Sequence, residues 1–221
     1  MKLTNQLFIT YLIGLLSLIG FTCMAMAISR HDVLQFDQTI ISFIQGAESP
    51  MLTQLMIFFT EMGSFPAVLS ICIVALFFLY FVLKYRGELI LFAAVMIGTS
   101  ILNYVLKLIF HRIRPDFHRL IEIGGYSFPS GHAMNAFALY GILTFLLWRH
   151  IPNRLGRASL ILVSIIFILM IGISRIYLGV HYPSDIIGGY FSSAFLLALF
   201  IRTFKKSERE SLCKKRCYYS E

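Results

Sequence analysis

Three stretches of the chain set ionisable residues inside apolar surroundings. "KLIFHRIRP" places Lys107, then six residues, then Arg114-Pro115; "PSGH" occupies 129–132; "SRIYLGVHYPSD" places Arg175, then five residues, His181, then three, Asp185. Three cations beside two histidines and one carboxylate repel one another, and cations in apolar spans are costly and mark function. A multiply charged oxyanion relieves that repulsion. Arginine forks match phosphate oxygens, and lysine adds a point charge. In "PSGH", Pro129 suits a helix start, Gly131 removes bulk, and the unpaired N–H groups of the first turn favour an anion.

The remaining groups supply reaction chemistry. Asp185 can orient His181 through one imidazole nitrogen and leave the other free to attack phosphorus. His132, at a different helix start, can protonate the leaving oxygen. Charge on the equatorial oxygens of a five-coordinate transition state falls where Lys107, Arg114 and Arg175 act. No carboxylate cluster for Mg²⁺ accompanies them, so no metal or other cofactor is expected.

The elements that position these residues follow from composition. Of 221 residues 58% are hydrophobic and 14% charged, and mean hydropathy is +0.78. Soluble domains carry about a quarter charged residues; here the solvent must be mostly lipid. The expected fold is an all-α integral membrane protein with six transmembrane helices, over 7–28, 64–83, 89–110, 133–148, 158–174 and 185–203. The fourth and fifth are short. The whole chain, 1–221, reads as a single membrane-embedded domain with a basic tail at 204–221. The first segment ends in "AMAIS", like a cleavage signal, but its apolar stretch is too long for a secretory peptide and reads as an uncleaved anchor.

The net charge of +8 does not lie on a soluble face with interleaved aromatics, so nucleic acid is not the expected partner. Thirteen of the 19 Lys and Arg residues fall on the side that holds both termini, which predicts cytoplasmic termini in a multi-pass cell-membrane protein. The third span then ends, the fourth begins, the fifth ends and the sixth begins on one face, the extracytoplasmic one. That face collects all three polar stretches. The connection 29–63 predicts amphipathic helices on the outer surface, with Val33, Phe36, Ile40, Phe43 and Ile44 near helical spacing, and a Ser-Pro helix start at 49–50. Lys107, His111 and Arg114 fall at i, i+4 and i+7, which predicts one helix face up to Pro115, with His111 and Tyr126 lining a headgroup pocket. His31, His118 and His150 read as interfacial. The four cysteines show no disulfide framework, and Cys213 with Cys217 lie in a tail expected to be disordered.

The order K-x6-RP, PSGH, SR-x5-H-x3-D resembles the tripartite signature of the type 2 phosphatidic acid phosphatase superfamily, the lipid phosphate phosphatases. All three parts are intact over residues 107–185. The resemblance implies His181 as the nucleophile forming a phosphohistidine, Asp185 orienting it, and His132 as the acid. It implies that Lys107, Arg114, Arg175 and the Ser130-Gly131 backbone bind phosphate, with no metal. The substrate implied is a lipid phosphate: phosphatidylglycerophosphate on overall resemblance, with undecaprenyl diphosphate, phosphatidic acid and diacylglycerol pyrophosphate as alternatives. Membrane lipids are the surroundings, and no obligate protein partner is readable. Vanadium haloperoxidases share the constellation but are soluble. A transporter would hold its ionisable groups near mid-membrane, not at span ends.

Overall fold

Long apolar runs separated by polar breaks give helices and nothing else among the described residues. The structure, a computed structural model, describes residues 3–82, 84, 86–116 and 118–218, with side chains for 5–81, 84, 87–116 and 118–210. The elements are α1 (Leu3–Ser29), α2 (Leu34–Gln45), α3 (Pro50–Met62), α4 (Phe65–Phe77) with a π-helical turn Phe78–Val82, α5 (Arg86–Phe110), α6 (Gly131–Leu147), α7 (Arg154–Tyr177) and α8 (Pro183–Tyr218).

Four of these, α1, α5, α7 and α8, are long and apolar enough to cross a membrane. The α3–α4 pair passes the same test as one span bent by 52°. Helix α6 is apolar but has only 17 residues, as expected of the fourth segment. The fifth segment is not short: α7 runs 24 residues, because Asn153 caps it from Gly156 N (2.6 Å) and it continues past Ser174 through Arg175. The sixth continues as helix to Tyr218, so the tail read as disordered is an extension of α8. The side chains of Cys213 and Cys217 lie outside the described residues.

Helix ends follow local chemistry. Ser49 accepts from Leu52 N at 3.3 Å and Pro50 opens α3, as the Ser-Pro pair predicts. Helix α5 stops at Phe110 because His111 takes a left-handed backbone, φ 46°, with its N–H on Lys107 O (3.2 Å), a left-handed C-terminal cap. Lys107, His111 and Arg114 therefore do not share a helix face. The 111–130 segment folds back over the ends of α7 and α8, with Leu120 N on Leu178 O (3.1 Å). A glycine is required at the α3–α4 corner, where a Cβ on Gly63 would stand 2.6 Å from Ile171 Cγ2 and 3.1 Å from His132 Cδ2.

Two expectations for 29–63 divide. Helices form there, but α2 buries a different stripe. Val33, Asp37 and Ile41, at i, i+4 and i+8, face inward, while Phe36 is exposed and Phe43 is 82% exposed. The aromatic positions therefore lie off the packed face of α2. The inward stripe carries a carboxylate. The core proper sits deeper, where Phe92, Val95, Ala138, Leu139 and Ile142 pack between α5 and α6. The small pairs at 188/192 and 189/193 allow close helix packing, and Ser193 Oγ donates to Met134 O across to α6 (3.0 Å).

Candidate active site

The first turn of α8 organises the site. Asp185 is its third residue and accepts from Tyr182 N at 2.9 Å, the returning half of a capping box. That fixes the carboxylate against His181, just outside the helix. Asp185 Oδ2 lies 3.4 Å from His181 Nδ1 and accepts a 2.5 Å bond from Ser127 Oγ; Oδ1 takes Arg112 Nη1 at 2.6 Å. Asp185 is fully buried and His181 only 2% exposed.

The other imidazole nitrogen faces a cation. Arg114 Nη1 stands 3.0 Å from His181 Nε2. A guanidinium can only donate, so Nε2 holds its lone pair and the ring proton belongs on Nδ1, toward Asp185. Burial pushes His181 down to about 3; Asp185 opposes that shift, and Arg114 and Arg175 add to it. Burial thus favours the uncharged ring, and the two contacts orient it with the lone pair on Nε2. Burial also lowers the Arg114 pKa from its ordinary value.

The remaining cations converge on the same point. Arg114 Nε donates to Gly125 O (3.0 Å) and Nη1 to Val180 O (2.8 Å). Arg175 is 1% exposed; it donates to Thr60 Oγ1, and its Nε has no hydrogen-bond partner. Lys107, in the last turn of α5, is within electrostatic reach of Arg114, Arg175 and Asp185. His132 feels Arg175, His181, Lys107 and Arg114. Among the described residues, none of Lys107, Arg114 and Arg175 forms a salt bridge. Glu61 also lies within electrostatic reach of Arg175, but a buried guanidinium nitrogen without an acceptor, among cations that form no salt bridge, matches an oxyanion.

The "PSGH" stretch differs in detail from its expected form. The helix starts at Gly131, not Pro129, with Ser130 as cap. The Ser130 N–H is already bonded to Asp185 O (3.2 Å), so it is not free for an anion. Gly131 and His132 hold the first-turn N–H groups without intrahelical partners. A side chain at 131 would crowd Asn103 Oδ1, 3.1 Å from the ideal Cβ.

The expected site residues thus gather at one end of the bundle. His111 and Tyr126 do meet each other, edge to face with centroids 4.5 Å apart. His111 lines a cavity of about 580 Å³ with His31, Arg112 and Tyr182, but neither His132 nor His181 reaches its lining. Four contributors escaped sequence reasoning: Asp37, Arg112, Ser127 and Thr60. Arg112 bridges two carboxylates, Asp185 and Asp37 (Nη2–Oδ2 2.8 Å). Its signal was a third arginine, inside the K-x6-RP spacing; Asp37 gave none, being one polar residue on an amphipathic helix.

The model of the PAP2 superfamily matches residues 88–209, more than half of the chain. The chain belongs to the PAP2 superfamily. Phosphatidylglycerophosphatase B of Bacillus subtilis (strain 168) is 32% identical over 186 residues, 83% of this chain and 90% of that protein. Undecaprenyl-diphosphatase BcrC of the same organism is 29% identical over 158 residues, 69% and 75% of the two chains. The crystal structure of the PAP2-type phosphatidylglycerolphosphate phosphatase from Bacillus subtilis superposes with a TM-score of 0.77, at 29% identity, over 88% of this chain and 96% of that one. The crystal structure of Aquifex aeolicus LpxE, at 24% identity and a TM-score of 0.60, covering 76% and 94% of the two chains, shares the fold. The family match begins at residue 88, so α2 and α3, which supply Asp37 and Thr60, lie outside it.

Proposed function

We propose that the protein is an integral-membrane lipid phosphatase that hydrolyses the terminal phosphate monoester of phosphatidylglycerophosphate to give phosphatidylglycerol. The observation that carries this reading is the buried His181, with Nδ1 toward Asp185 and Nε2 facing cations that form no salt bridge among the described residues. Similarity to phosphatidylglycerophosphatase B over most of both chains supports the substrate. A second reading, an undecaprenyl diphosphate phosphatase, rests on the similarity to BcrC.

In the proposed reaction the phosphate draws Arg114 from Nε2 and lies among Lys107, Arg114, Arg175 and the first-turn N–H groups of α6. His181 Nε2 forms a bond to phosphorus as the P–O bond to the lipid alcohol breaks. His132, charged once the phosphate offsets the surrounding cations, gives its proton to that oxygen. Water then attacks phosphorus, returns its proton to His132 and breaks the N–P bond, releasing phosphate and restoring His181. The Nδ1 proton stays toward Asp185 throughout, which stabilises the imidazolium-like intermediate. The side-chain cations take the electrostatic part, so the reaction proceeds without a metal. In the same proposal α1, the α3–α4 region and α5 to α8 give six crossings, both termini are cytoplasmic, and the site opens at the extracytoplasmic interface.

The test is kcat/KM for phosphatidylglycerophosphate, undecaprenyl diphosphate and phosphatidic acid in one detergent, with and without EDTA, using His181→Ala as blank. The expected result is highest turnover on phosphatidylglycerophosphate, unaffected by EDTA, with an alkali-stable, acid-labile phosphoenzyme that His181→Ala lacks. Preference for the diphosphate would establish the second reading. Full activity in His181→Ala would overturn both.

A further inference from the structure

The strongest observation not used by this reaction lies behind it. Asp37, on α2, is wholly buried and closes a chain of four charged or titratable groups: His181, Asp185, Arg112, Asp37. Its Oδ2 accepts from Arg112 Nη2 (2.8 Å) and from Ser184 Oγ (2.6 Å), and its Oδ1 from Ser184 N (2.9 Å). Ser184 is the second residue of α8, immediately before Asp185. Asp37 therefore satisfies an orphan N–H in the first turn of that helix, at its positive end, from an element distant in sequence.

The charges give this geometry a consequence. Arg112 bonds Asp185 at 2.6 Å. Alone, that cation would neutralise the carboxylate on which His181 relies when its ring becomes imidazolium-like. Asp37 supplies the second carboxylate, so the Arg112 group carries one net negative charge toward the histidine. Arg112 also lies over the Tyr182 ring at 4.1 Å, which leaves it little room to turn away. We propose that Asp37 is a positioning residue for phosphoryl transfer: it offsets Arg112, holds the first turn of α8, and keeps Asp185 negative and aimed at His181. This inference rests on the reading of His181 as nucleophile.

The test compares Asp37→Asn, Arg112→Gln, the double variant and His181→Ala, each purified in detergent with its Tm measured. The readouts are kcat, KM, and inhibition by vanadate and by inorganic phosphate. Vanadate bonded to His181 imitates five-coordinate phosphorus and makes the ring imidazolium-like, so it depends on the Asp185 charge more than phosphate held by the cations without a bond to the histidine. Asp37→Asn is expected to lower kcat about 10- to 100-fold, as loss of a group supporting a reacting residue does. Vanadate inhibition should weaken in parallel, with KM and phosphate inhibition changed less than about twofold. Removing Arg112 as well should raise kcat above that of Asp37→Asn, because no cation then neutralises Asp185. A purely structural role predicts the reverse, a double variant at least as impaired as either single one. That result, or wild-type kcat in Asp37→Asn beside an inactive His181→Ala, overturns the inference alone. An active His181→Ala overturns the reading of the site and the inference with it. Should Asp37→Asn not fold, the Arg112→Gln variant decides by itself: retained vanadate inhibition supports the inference, and loss of vanadate and phosphate inhibition together overturns it.

Discussion

The two ends of the bundle both gather cations, and they treat them in opposite ways. At one end Arg149 pairs with Glu88 (3.0 Å) and reaches Glu208 (4.0 Å), and Lys206 pairs with Glu210 (4.0 Å), all at or near the surface. At the other, Lys107, Arg114 and Arg175 have no carboxylate partner among the described residues, and both arginines are buried. Exposed pairs contribute little to stability and are screened by salt. Buried, uncompensated charge is destabilising, and a fold keeps it only where something else meets it. The two buried carboxylates at that end, Asp37 and Asp185, both pair with Arg112, so Lys107, Arg114 and Arg175 feel Asp185 or Glu61 only at a distance, without a salt bridge.

Three substitutions or conditions sharpen that contrast. Arg175→Lys keeps the charge but loses the fork beside Thr60; it is expected to cost about 10²- to 10³-fold in kcat, the loss typical of one transition-state donor, read in the same lipid assay. The second concerns pH. An unfolded histidine titrates near 6.5, whereas His181 in the fold is held at about 3. Below pH 6.5 the unfolded chain binds a proton that the native site refuses, so stability falls as pH drops toward 3. Between pH 7 and 5 this amounts to about 2 kcal/mol, read as a steeper fall of unfolding midpoint in the wild type than in His181→Ala. The smallest effect belongs to the opposite end. Arg149→Ala should change stability by less than about 0.5 kcal/mol and leave kcat unchanged; a tenfold loss of activity would show that the ends are coupled.

How much of this was legible depended on whether a residue's role was local. Lys107, Arg114, His132, Arg175, His181 and Asp185 are spaced along the ends of apolar runs, and topology alone brings those ends together. The hydrophobic runs gave the helices for the same reason. The failures are physical as well. His111 was placed on a helix that its own left-handed backbone terminates. Phe36 and Phe43 were read as part of the apolar stripe of an amphipathic helix; both are exposed, and the stripe of α2 that packs inward runs through Asp37. Ser130 was counted as a free donor, though its N–H is used by Asp185 O. Pairings that join 37 to 112 and 184, or 60 to 175, leave no trace in local pattern.

The bond from Arg114 to His181 Nε2 has one further consequence. In the proposed reaction the group that restrains the nucleophile's lone pair is also a group the phosphate recruits. Arrival of the correct headgroup and unmasking of the nucleophile then become one event. Electrophiles that carry no oxyanion cannot draw the guanidinium aside, and they meet a histidine already occupied. In that proposal the latch would shield the histidine from adventitious modification without any moving lid.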